Sequence, residues 1–292
     1  METLLLYLNG DRGLKVLEHL IKINKYNIFV FSTKKLLILK ELENNQSINF
    51  KIVESINSEE HFLYIKKINP DIAIVAGFSQ IFNNKIINAP KFGTINLHAG
   101  PLPQYRGGSP LNWQIINGEK TIGLSIIQMN NGIDTGKILC QSSFKLKNSD
   151  SISDVHSNAN VFFSEMVLDV LNHIQRKSLV SLKQDENKAI YWHQRSDLDG
   201  KINWKNMTAL QVYNFIRALS KPYNGSHTFY LNHKLRIFSS RITNQNYYGS
   251  PGRVVKIKDK KILIICADKG LYIEEYKFEK YSGDLINGMH LI

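Results

Sequence analysis

Ile72–Ala76 is apolar throughout and sits between Asn69-Pro70-Asp71 and Gly77. A short unbroken apolar run closed by turn residues fits a strand buried on both faces, and such strands belong to parallel sheets covered by helices. Residues 3–8, 27–32, 50–53 and 94–97 repeat the pattern. The stretches between them have helical spacing. Leu14, Leu17, Leu20 and Ile21 fall on one face of 14–23, and 34–43 and 58–67 also read as helices. Strand and helix alternate, which predicts an α/β, Rossmann-like N-terminal domain built on a parallel sheet.

Further along, 123–129 and 136–144 look extended around the loop 130–135, and 153–176 carries the longest helical pattern. Polar stretches at 183–188 and 194–200 predict a linker over 184–202, following a domain of residues 1–183. The last third changes class. Thr208 can cap a helix running to Leu219. Short strands follow at 228–231, 234–239, 253–258, 261–266 and 271–278, with turns at Asn232-His233 and Asp259-Lys260. Tight turns between short strands predict a smaller, mainly antiparallel β, OB-like domain over 203–292.

The 292 residues are 43% hydrophobic and 21% charged, which argues against a disordered or fibrous chain. No apolar run reaches the roughly 18 residues of a membrane-crossing helix. METLLLYLNGDRG has no basic leader and no small-residue cleavage site, so it reads as a first strand and not as a signal peptide. Cys140 and Cys266 lie singly in apolar strand-like segments. They argue against a disulfide scaffold or a cysteine-rich metal site and fit a cytoplasmic protein. Net charge is +12, and residues 195–292 hold 16 Lys+Arg against 8 Asp+Glu. A basic C-terminal third suits RNA or a phosphorylated ligand; general lysine richness explains it equally.

Asn96 and His98 stand two residues apart at the end of a strand, so their side chains share one side of the chain. Open α/β sheets bind ligands at the C-terminal ends of their strands. An amide beside an imidazole suits carbonyl chemistry: one can stabilise an oxyanion while the other moves a proton. Two polar side chains closing a strand end are the plainer alternative. Asp134, between Gly132 and Gly136, is either a turn residue or a carboxylate that orients His98 and favours its charged form.

INLHAGPLPQYRGGSPLNWQIINGE, followed by GLSIIQMNNGIDTGKIL, resembles the N10-formyltetrahydrofolate-dependent formyltransferases. That family includes methionyl-tRNA formyltransferase, the UDP-aminoarabinose formyltransferase domain and the sugar-nucleotide N-formyltransferases. Its signature is Asn-x-His with an Asp 36 residues after the His, a spacing that Asn96, His98 and Asp134 keep. Residues 199–204 and 216–225 extend the resemblance, which thins before 70 and after 240. It implies that an amine attacks the formyl carbon, that Asn96 stabilises the oxyanion, that His98 moves protons, and that Asp134 holds His98. It places the cosubstrate N10-formyltetrahydrofolate against Gln80, Ile81, Phe82, Asn130, Asn131, Gly132, Ile133 and Asp134, gripped mainly by backbone. Tyr105, Arg106 and Arg195 would face the acceptor, and no metal is implied. Ile81 and Phe82 also fit plain core packing, and Arg195 a solvated linker position.

There are departures from the family. Gly100-Pro101-Leu102-Pro103 replaces its usual Ser-Leu-Leu-Pro, and Pro101 removes a backbone donor. Gly108 stands where the aminoarabinose enzyme has an Arg. Gly10 and Gly13 do not complete G-x-G-x-x-G, and no Walker motif occurs. His61, His156, His173 and His193 have no metal-ligand spacing and read as surface or core-edge residues. The run Ser109-Pro-Leu-Asn-Trp113 resembles the sugar enzymes. The opening LLLYLNGDRGLKVL lacks the tRNA enzymes' Gly-Thr-Pro-x-Phe-Ala, and residues 32–50 hold just Lys34, Lys35 and Lys40 as basic groups. These features favour a nucleotide-linked amino sugar as acceptor, with a place in surface-polysaccharide biosynthesis and room for a homodimer. Methionyl-tRNA is the alternative acceptor. A non-catalytic folate-binding protein is a third reading, against which all three signature positions stand.

Overall fold

The apolar runs become strands in the computed structural model, which describes residues 3–33, 48–258, 261–283 and 285–292. The helix expected over 34–43, the lysines at 34, 35 and 40, and the turn at 259–260 lie outside the described residues. By compactness the chain divides into two units. One comprises residues 1–107, 123–144 and 156–191, the other 108–122, 145–155 and 192–292.

The first unit holds a seven-stranded sheet in the order β3-β2-β1-β4-β5-β6-β7. Its strands are β1 (Thr3–Leu8), β2 (Asn27–Ser32), β3 (Ile48–Ile52), β4 (Ile72–Ala76), β5 (Thr94–His98), β6 (Thr121–Gln128) and β7 (Ile138–Lys145). β3, β2, β1, β4 and β5 run parallel, and β6 joins β5 antiparallel. Every residue of β4 is buried, as a central strand with helices on both faces requires. α1 (Asp11–Ile23) buries Gly13, Val16, Leu17 and Leu20, while Leu14 and Ile21, expected on that face, are half-buried. α2 (Glu59–Ile68) begins at Ser58, whose hydroxyl accepts from the His61 N–H. Glu59 and Glu60 lie in its first turn and Lys66 and Lys67 in its last, each complementing the helix dipole. α3 (Asn84–Ile87) is a single turn capped by Asn83, and α5 (Ile152–Gln175) is the long helix predicted at 153–176.

Register places the site. On β5, Asn96 lies opposite Val75 of β4 and Ile127 of β6, and His98 opposite Ser125. Both polar residues therefore stand at the C-terminal end of the parallel set.

The second unit contains α4 (Pro110–Ile116), α6 (Ala209–Leu219) and a five-stranded antiparallel sheet. The sheet order is β8-β9-β12-β11-β10, from β8 (Ser226–Tyr230), β9 (His233–Ile242), β10 (Val254–Lys258), β11 (Lys261–Ile265) and β12 (Gly270–Phe278). Thr208 caps α6 in a reciprocal box with Gln211. Val212, Phe215, Ile216 and Leu219 pack with Tyr230, Leu235, Ile237 and Ile264 as this unit's core. The β8–β9 hairpin turns one residue earlier than expected. His233 already pairs with Tyr230, and Leu231 and Asn232 take φ +47° and +64°. Positive φ at both central positions is the type I′ turn, which matches the twist of the flanking strands.

Candidate active site

Asn96 and His98 converge on Asp134. His98 Nδ1 lies 3.4 Å from Asp134 Oδ2, and Asn96 Nδ2 lies 3.5 Å from Oδ1. The Gly107 N–H donates to Oδ2 at 2.9 Å. The other ring nitrogen of His98, Nε2, donates to the Tyr105 carbonyl at 2.5 Å, because a carbonyl can only accept. Burial by itself raises the Asp134 carboxyl. The hydrogen bond and charge of His98, then the Gly107 N–H and the Arg106 charge, outweigh it and hold the group below the ordinary carboxylate range.

The loop carrying Asp134 is shaped locally. Asn130 Oδ1 accepts from the Gly132 N–H and the Thr135 hydroxyl, which closes the turn. Asp134 itself has φ +54°, the left-handed region that non-glycine residues rarely adopt. At Gly136 a Cβ would fall 1.7 Å from the Gln128 carbonyl oxygen, so only glycine fits.

A cavity of about 200 Å³ opens beside this loop. Its lining includes Asn96 and every position from Asn130 to Asp134, together with Gln80, Ile81 and Phe82. Val75 and Ile127, the sheet partners of Asn96, form part of its wall. Asp134 lines it and His98 does not. Two apolar side chains stand exposed there, Ile81 at 85% and Ile133 at 65%. Exposed apolar walls with backbone edges beside them suit a flat, heteroatom-rimmed ring.

The formyl transferase profile matches residues 13–171, and the profile for the formyl transferase C-terminal domain matches 195–284. The chain belongs to the formyl transferase family. It is 34% identical to methionyl-tRNA formyltransferase of Clostridium novyi over 241 residues, 81% of this chain and 76% of that protein. Its fold is shared with an N-formyltransferase from Helicobacter canadensis solved with folinic acid and dTDP-3-aminofucose. That pair gives a TM-score of 0.71 at 20% identity over 95% of this chain and 100% of the other. It is also shared with HypX from Aquifex aeolicus in complex with tetrahydrofolic acid (TM-score 0.69, 17% identity, 96% of this chain). This chain spans 44% of the length of that protein.

In this formyltransferase the remaining expected site residues divide. The Gln80 amide is engaged by backbone: Nε2 donates to the Glu54 carbonyl at 2.7 Å and Oε1 accepts from the Ile56 N–H at 2.9 Å. Phe82 belongs to the core, edge-on to Tyr7, and presents one side to the cavity. Tyr105 is buried and its contribution is the carbonyl that holds His98.

Arg106 was expected at the acceptor, and the structure corrects this. Its side chain is wholly buried. Nε and Nη2 donate to Gln184 Oε1 (3.1 and 2.9 Å), Nη1 and Nη2 to the Glu186 carboxylate (2.8 and 2.7 Å), and Nη1 to the Tyr191 hydroxyl (2.7 Å). The expected linker residues Gln184 and Glu186 are thus anchored rather than free.

Arg195 lies in the second unit, stacked on Trp113 and Phe215, with Nη2 donating to the Asp199 carbonyl at 2.5 Å. Burial lowers its pKa, with Asp199 opposing. It lines a separate cavity of about 210 Å³ with Ser109, Asn112, Tyr223 and Asn224.

Two supports had no sequence signal. The Ser125 hydroxyl donates to the Gly100 carbonyl and accepts from the Leu102 N–H, and Gln141 donates to the Leu102 carbonyl. They hold the turn that Pro101 and Pro103 interrupt. His61 lies deeper than the core edge, its Nε2 3.0 Å from the Tyr7 hydroxyl. Burial, and then Lys51, pull its pKa down to about 4, so it is neutral. Among the described residues no cluster of three His, Cys, Asp or Glu could hold a metal ion, and no helix is long and apolar enough to cross a membrane.

Proposed function

We propose that this formyltransferase moves the formyl group of N10-formyltetrahydrofolate to the primary amine of a nucleotide-linked amino sugar. The observation that carries the transfer is the meeting of Asn96 and Asp134 in one cavity with His98 behind them. The folate ring lies between Ile81 and Ile133, with backbone of 130–134 at its edge. The amine lone pair attacks the formyl carbon, and the carbonyl electrons move to oxygen. The Asn96 amide donates to that oxyanion. The proton lost by the amine goes to the Asp134–His98 pair and returns to N10 of the folate as the C–N10 bond breaks. Asp134 is the member of the pair that reaches the cavity; His98, fixed by the Tyr105 carbonyl, stands behind it and orients it.

The amino-sugar acceptor is supported by the Ser109–Trp113 run. Its fold is shared with the Helicobacter canadensis N-formyltransferase solved with dTDP-3-aminofucose, and its sequence is related to the Clostridium novyi enzyme. Methionyl-tRNA is the second reading, favoured by the 34% identity to the latter. One assay separates them: the protein is incubated with N10-formyltetrahydrofolate and either a panel of amino-sugar nucleotides or charged initiator tRNA, and product masses are read. A sugar nucleotide carrying one added formyl group, formed at moderate salt, is the expected result. Formylated methionyl-tRNA with every sugar nucleotide untouched, and a rate falling steeply with salt as many phosphate contacts require, overturns it.

A further inference from the structure

Among the described residues Arg106 is the largest fully buried side chain, and a buried guanidinium is tolerated only when its donors are satisfied. Two of its donors end on the amide oxygen of Gln184, itself buried. The Gln184 Nε2 then donates to the Asp134 carbonyl and to the Gly136 carbonyl, both at 2.7 Å. The orientation of this amide follows from its partners. Turned over, its NH₂ would face guanidinium N–H groups and its oxygen would face two carbonyls. The whole hydrogen-bonding capacity of Gln184 is therefore used, and half of it clasps the two sides of Thr135. Asp134, inside that clasp, holds a left-handed φ that an aspartate does not adopt by preference. In that conformation its carboxylate reaches both His98 and the Gly107 N–H.

We propose that Gln184 is a positioning residue for formyl transfer: backed by Arg106, it holds the backbone at Asp134 so that the carboxylate meets His98 and Gly107. The inference rests on Asp134 taking part in the reaction. Gln184 touches neither cavity nor substrate; it acts through the loop.

Gln184→Glu tests this. It keeps the size of the side chain and the contact with Arg106, but sets a carboxylate against two carbonyl oxygens. In the ¹⁵N-labelled full-length protein, the Gly107 amide hydrogen is expected to exchange about tenfold faster, because its acceptor has moved. With the acceptor that the wild type turns over best, kcat falls about 100-fold, as misplacing a reacting group does. The acid limb of the kcat/KM profile moves to higher pH, because Asp134 loses the partners that hold it low. The melting temperature falls, because two buried carbonyls lose their donor, while circular dichroism keeps the wild-type fold. Should this variant not fold, Arg106→Lys, which keeps the charge but loses the fork onto Gln184, is read by the same exchange at Gly107. Wild-type exchange at Gly107 overturns the proposal, as does faster exchange with wild-type kcat. The exchange arm needs no acceptor, so failure of the amino-sugar reading is distinguishable from failure of this one.

Discussion

His98 and Asp134 come within 3.4 Å, Nδ1 to Oδ2: β6 leaves the sheet beside Thr94 at the start of β5, where the Met129 N–H bonds the Thr94 carbonyl, and the loop that follows carries Asp134 back to His98. The pair is closed on its far side by the Tyr105 carbonyl, so the imidazole has one orientation. A carboxylate held on a fixed ring can take and return a proton without reorganising the site.

Removing either strand-end group should stop turnover without unfolding the protein. Asn96→Ala removes the amide proposed to donate to the oxyanion, and kcat is expected to fall about 10²–10³-fold. His98→Ala should do at least as much. Circular dichroism reports the fold and product mass the rate; near-normal rates in both variants would remove the two residues from the reaction.

Asp134 also makes the fold acid-sensitive. Its folded pKa lies below the ordinary value of about 4. Its stabilisation is therefore present above that pH and is lost as pH falls through the folded pKa. Asp134→Asn has no such contribution to lose. Melting temperatures measured from pH 7 down to pH 3 should shift in favour of the variant on acidification, while its formyl transfer stays slow at every pH. Parallel curves would show that the carboxylate is not held low.

The two ends of the Arg106 clasp should differ sharply in stability. Arg106→Ala empties a large buried site and leaves the Gln184 oxygen without its donors. A loss of about 3–5 kcal/mol, the scale of truncating a large core side chain, is expected in urea melts. Glu186 is 62% exposed and glutamine keeps one acceptor for the guanidinium, so Glu186→Gln should lower the transition midpoint much less.

Gly136 and Gly10 form a second contrasting pair. Gly136→Ala drives a methyl group to 1.7 Å from the Gln128 carbonyl and should cost about 1–3 kcal/mol and weaken folinic acid binding. Gly10 has extended backbone, and a methyl group added there would meet nothing within 4 Å, so Gly10→Ala should melt as the wild type does.

Ile81 should matter to ligand and not to fold. It is 85% exposed, so Ile81→Ser should leave the melting temperature alone. Losing about 1 kcal/mol of apolar contact with the folate ring would weaken folinic acid roughly fivefold in a fluorescence titration. An unchanged affinity would take Ile81 out of the folate wall.

The apolar run at 72–76 was enough to place β4 at the centre of a parallel sheet, because a strand buried on both faces leaves no polar position to vary. Thr208 announced the start of α6, since a cap is a contact between neighbours in sequence; the reciprocal contact of Gln211 came with the structure. The Asn96, His98 and Asp134 spacing carried the family in the same way, as a pattern written along the chain. What the spacing could not show is which partner each polar group meets once water is excluded. Arg106 and Gln184 are 78 residues apart, and Gln80 meets the backbone at 54 and 56. Nothing local distinguishes a polar side chain that will face a substrate from one that will satisfy buried carbonyls. Tertiary packing enclosed Arg106, turned Gln184 from a linker residue into a clasp, and forced Asp134 into a left-handed backbone. A buried donor must find an acceptor wherever the fold has placed one.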